Sequence, residues 1–91
     1  MDEPIELTLP SPDGTIDCRL DPETQDDRQY YSATILYPHV VNGFSRSDIY
    51  CHNFHHDPTT GTYHFEEDTI HPKIKKLEVA LSDALIEFLG K

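Results

Sequence analysis

The chain has 91 residues, 36% of them hydrophobic, with seven Lys and Arg against seventeen Asp and Glu and a net charge of −10. That length makes one domain with one modest core. The charge argues against direct nucleic-acid binding, which rests on Lys and Arg neutralising phosphates, and against anionic membrane surfaces. The acidic start MDEPIELTLP lacks the order of a secretion signal and no apolar run reaches transmembrane length, so a cytoplasmic chain is expected.

Residues 5–9 (IELTL) alternate apolar and polar and read as a first strand. Ser11-Pro12-Asp13-Gly14 is a turn signal. Residues 15–20 alternate again, with Ile16, Cys18 and Leu20 on one face. A four-residue loop sets Leu9 opposite Ile16, Leu7 opposite Cys18 and Ile5 opposite Leu20. The three-residue alternative splits the apolar sets between two faces, so the first register is expected. Residues 21–28 (DPETQDDR) read as an acidic loop, the most mobile internal segment.

Residues 29–37 form a third strand, with Tyr31, Ala33, Ile35 and Tyr37 on one face. Pro38 cannot donate to a ladder, so the strand ends, bulges or lies at an edge there. Asn42-Gly43 predicts a two-residue hairpin that sets Ile35 opposite Tyr50 and Tyr31 opposite Phe54. The next turn, Asp57-Pro58-Thr59-Thr60-Gly61-Thr62, sets His56 opposite Tyr63, His55 opposite His64 and Phe54 opposite Phe65. Both turns therefore place Tyr50, Phe54, Tyr63 and Phe65 on one core face. Cys51, Asn53, His55, His64 and Glu66 fall on the wet face.

The period then changes. Ile74, Leu77, Leu81, Ala84, Leu85 and Phe88 recur at three- and four-residue steps, an amphipathic helix with Pro72 in its first turn and Gly90 as its C′ residue. The expected fold is α+β: a five-stranded antiparallel meander with this helix packed across one face.

Several features invite chemistry. His55 and His64 are cross-strand neighbours with Cβ atoms about 5 Å apart. With Glu66, Asn53 or Tyr30 on the same face they suggest a divalent-metal or small-ligand site, although zinc sites need three or four ligands and the familiar spacings are absent. Six histidines also raise the prospect of a pH response near pH 6. Cys51 has His52 beside it on the opposite face and His55 about 13 Å along the strand, so no nucleophile–base dyad forms. Cys18 reads as core. The run Glu66-Glu67-Asp68 reads as a solvated strand end. No cofactor is implied, and nothing here makes an enzyme.

All four lysines lie at or beyond residue 73, with Lys73, Lys75 and Lys76 clustered at the helix start, where they oppose the helix dipole. Neutralisation by Glu66-Glu67-Asp68 or by the acidic loop is expected; the other reading is a partner-contacting patch. Val79 and Ile86 face away from the main stripe and suggest a homodimer contact. Residues 1–72 hold three arginines against fourteen acids, a balance of −11. The leading functional expectation is a non-catalytic module that contacts a basic protein partner.

Overall fold

The computed structural model describes residues 3–11, 14–66 and 70–90. Pro12 and Asp13 of the first turn signal, and Glu67 and Asp68 of the acidic run, lie outside them. Strands β1 (Ile5–Ser11), β2 (Gly14–Gln25), β3 (Arg28–Val41), β4 (Phe44–Asp57) and β5 (Thr62–Phe65) form one antiparallel sheet in chain order. Helices α1 (Pro72–Lys75) and α2 (Glu78–Leu89) follow. This is the α+β meander that the alternation and turn chemistry predict.

The registers are those that the apolar rows demand. Leu9 opposes Ile16, Leu7 opposes Cys18 and Ile5 opposes Leu20. Ile35 opposes Tyr50, Tyr31 opposes Phe54, and Phe54 opposes Phe65. Side chains alternate across a strand, so one face collects Ile16, Cys18, Leu20, Ala33, Ile35, Phe54 and Phe65 into a buried core with Ile74, Leu81 and Leu85 of the helices. Phe54 is fully buried and its ring lies 5.0 Å from that of Phe65 and 5.6 Å from that of Tyr63.

The turns are tighter than expected in two places. Pairing of β1 with β2 runs on to Ser11 opposite Gly14. Residues 21–28 are not a loop: β2 continues to Gln25, and Asp26 (φ 51°) and Asp27 (φ 63°) turn the chain directly into β3. Two positive φ values make the primed turn whose twist suits a hairpin, the same device as Asn42 (φ 51°) and Gly43 (φ 80°) between β3 and β4. Asp-Asp is a poor signal for that turn because a side chain in the left-handed region carries a steric cost that Gly escapes. Asp27→Gly is therefore expected to raise stability by about 0.5 kcal/mol. Urea unfolding checks it, and a lower midpoint at unchanged slope would contradict it.

The β4–β5 loop closes as expected, with Gly61 at φ 73° and its N–H donating to the Asp57 carbonyl at 2.8 Å. The Asp57 carboxylate accepts from the Thr59 hydroxyl (2.6 Å) and backbone N–H (2.9 Å). Those bonds, the hydroxyl's first, hold it below the usual carboxylate range.

Pro38 does not end its strand. The β2–β3 ladder stops at Asp17 opposite Leu36, so beyond it β3 has no partner on that side and the missing N–H is harmless. The distal part of the β3–β4 hairpin projects from the sheet, and its tip exposes Val40, Val41 and Phe44.

The helical segment breaks at Lys76 and Leu77, which stay right-handed while Leu77 N–H bonds to the Ile74 carbonyl in a tightened turn. The His71 imidazole caps α1 by accepting from Lys73 N–H at 3.2 Å. Gly90 ends α2 at φ −81°, so it serves as a right-handed C-cap and not as the left-handed C′ residue. Phe88 departs from the predicted stripe and stands 48% exposed, with Leu89 beside it at 47%, so the buried line of α2 ends at Leu85.

Candidate functional site

The face of the sheet away from α2 is built in rows. Glu6, Arg19, Thr34 and Cys51 lie side by side across β1 to β4, and Thr8, Asp17, Leu36 and Ile49 form the next row. Asp21, Ser32 and Asn53 form a third, and the Asn53 amide donates to Glu66 at 3.1 Å. Among the described residues, six carboxylates (Glu6, Asp17, Asp21, Glu23, Asp57 and Glu66) share this face by strand parity with two cations, Arg19 and Arg28. Arg19 is occupied by Asp21 at 3.2 Å. Leu36 and Ile49 form an apolar cross-strand pair within the acidic surround, Ile49 at 68% exposure.

The outer face is concave in two places. One trough of about 660 Å³ lies among Glu6, Thr8, Asp17, Arg19, Thr34 and Leu36. A smaller cleft of about 260 Å³ is lined by Gln25, Asp26, Arg28, Tyr30, Asn53 and Glu66. The structure thus brings together Tyr30 and Glu66, two of the four residues expected in a ligand site.

His55 and His64 are cross-strand neighbours, as the turn predicts. The His64 ring is nevertheless committed elsewhere. Its Nδ1 lies 3.3 Å from the Glu78 carboxylate, which can only accept, so Nδ1 donates. Its Nε2 lies 2.9 Å from the Thr62 hydroxyl. The other histidines are dispersed: His39 contacts Asp48 at 2.8 Å, His52 meets the Phe65 ring edge-on, and His56 meets the Tyr63 ring edge-on. Among the described residues no group of three His, Cys, Asp or Glu side chains is placed to hold a metal ion. Both cysteines are free; burial, with Asp17 adding to it, pushes the Cys18 thiol up to about 11, which makes it inert.

Of the residues expected to neutralise the lysine cluster, Glu67 and Asp68 lie outside the described residues. Lys75 Nζ reaches Glu78 on the next helix at 3.1 Å, and Lys73 Nζ sits 4.9 Å over the Tyr37 ring. Lys76 is exposed. Val79 and Ile86 face outward at 69% and 40% exposure, as the helical wheel predicts.

Glu78 is the residue that sequence reasoning missed. β5 is an edge strand, and Tyr63 and Phe65 point their N–H groups outward from it. Ser82 Oγ accepts from Tyr63 N–H at 2.8 Å, and Glu78 accepts from Phe65 N–H at 3.0 Å. The spacing is commensurate: four helical residues rise about 6 Å and two strand residues about 6.7 Å. Burial alone would raise the Glu78 pKa, but hydrogen bonds from Phe65 N–H, Lys75 and His64 outweigh it and hold the carboxyl below its ordinary range. Glu78 and Ser82 are buried beside the apolar line Ile74, Leu81, Leu85, and helical periodicity alone did not mark them.

A third concavity, about 620 Å³, lies on the helix side of the sheet at the end of α2, lined by Tyr31, Tyr63, His56 and Glu3 among others. Among the described residues no helix is long and apolar enough to cross a membrane. No family model, curated protein or solved structure matches this chain, so its site stands on geometry alone.

Proposed function

We propose that this chain is a non-catalytic interaction module whose outer sheet face takes a basic protein partner. The observation that carries this reading is the charge of that face: six carboxylates against two arginines, one of them already paired. The troughs beside Asp17 and Glu66 supply concavity, and the Leu36–Ile49 pair supplies apolar contact. Charge complementarity of this kind steers encounter and sets specificity, while apolar area slows dissociation. The partner that fits is a basic amphipathic segment.

Calorimetric titration with a lysine-rich amphipathic peptide tests it. Affinity should fall steeply as salt rises from about 50 to about 300 mM, where the screening length contracts below about 10 Å. Asp17→Asn with Glu66→Gln should weaken binding by about tenfold at low salt, on the basis of roughly 0.7 kcal/mol for each exposed charge. Binding insensitive to salt and to both substitutions would overturn the reading.

A further inference from the structure

The cleft at the end of α2 lies on the helix side of the sheet, away from the acidic rows. It is bounded by the start of β1, the β2–β3 turn region, the β4–β5 hairpin and Leu89. Its lining holds Tyr31, Tyr63, His56 and Glu3, with Tyr30 and Glu23 at its border, whose side chains belong by strand parity to the other face, and includes no lysine or arginine.

The aromatic wall is fixed by packing. Tyr63 stacks on Phe54 at 5.6 Å, with the rings 25° apart, and Phe54 is fully buried. Tyr31 meets Tyr63 edge-on at 6.0 Å, and His56 meets it at 5.0 Å. Ring faces present negative quadrupole to a cation within about 6 Å of the centroid. The Glu3 carboxylate adds the same sign, which repels anions. A void of about 620 Å³ accommodates a long side chain with room for its hydration.

We propose that this cleft is a binding site for an organic cation, the guanidinium or ammonium group of an arginine- or lysine-like molecule. A planar guanidinium suits it best, because it stacks on tyrosine faces and still offers in-plane donors to a carboxylate. The site uses none of the outer-face carboxylates, so it stands or falls separately from the sheet-face reading.

The test is an amide chemical-shift titration of the full chain with N-acetyl-arginine methylamide. Agmatine serves as the free cation and N-acetyl-norleucine methylamide as the neutral match. The arginine compound should shift Ile5, Tyr31, His56 and Tyr63 together, and the norleucine compound should not. Shifts with agmatine as well assign the site to the cation whatever carries it; shifts with the arginine compound alone assign it to a side chain in a peptide. Tyr31→Leu and Glu3→Gln should each weaken binding about two- to fivefold, while Tyr31→Phe, which keeps the ring face, should bind within about twofold of the parent. Glu3 is exposed, so its variant guards against a folding defect in the other. The Asp17→Asn, Glu66→Gln chain should bind the arginine compound unchanged. Equal shifts with the norleucine compound, no shift at these four residues, or indifference to Tyr31→Leu and Glu3→Gln would overturn the proposal.

Discussion

Phe54→Ala is expected to cost about 3–5 kcal/mol, a large share of the roughly 5–14 kcal/mol that a chain of this length commands. Phe54 is the point where the layers meet. It is fully buried, opposes Tyr31 on β3 and Phe65 on β5, and stacks with the ring of Tyr63. Truncation leaves a void on β4, a strand paired on both sides, within the core cluster that also holds Leu81 and Leu85, so collapse into it is limited. Chemical unfolding followed by far-ultraviolet circular dichroism reads the loss. Phe54→Leu, which restores most of the volume, should recover more than half of it. A Phe54→Ala chain within about 1 kcal/mol of the parent would show that this ring is not the centre of the core.

Glu78→Ala is expected to cost about 2–3 kcal/mol, because it orphans a buried strand N–H and removes a charged acceptor at once. The side chain of Glu78 is 12% exposed and gathers Phe65 N–H, Lys75 and His64. For a domain of this size the loss corresponds to a melting temperature lower by about 8–20 °C. Glu78→Gln keeps an acceptor oxygen and should lose less.

The same carboxylate makes stability depend on pH in a defined direction. Its folded pKa lies below its ordinary value of 4.5, so the native state binds its proton less readily than the unfolded chain. The contribution is complete above about pH 4.5 and is lost as pH falls through the lowered folded value. Thermal melts at pH 7 and near pH 3 should therefore differ more for the parent than for Glu78→Gln. Equal acid sensitivity in both would assign the effect to other carboxylates, Asp57 first among them. Removing Glu78 also uncovers an edge N–H, so hydrogen exchange at Phe65 should accelerate while that at Phe54 follows global stability.

Glu78 also marks the boundary between local and long-range information in this chain. Strand pairing was legible because parity is strict: a slip of one residue turns Ile16, Cys18 and Leu20 into water, and Asn42-Gly43 and the loop closed by Gly61 allow one register each. The apolar line Ile74, Leu81, Leu85 was legible for the same reason, with a helical period. The Asp26-Asp27 turn was not, because the twist of the two long strands it joins imposes positive φ on residues whose own preference for it is weak. The exposure of Phe88 and the burial of Glu78 were likewise undetermined by periodicity. Both depend on how far α2 is displaced along β5, and that displacement is set by matching two helical side chains to two free strand N–H groups. Which histidine stays on the outer face and which turns to a carboxylate follows from the same docking. Contacts between residues close in sequence declare themselves through period and turn chemistry; contacts across the helix–sheet seam exist only once both elements are placed.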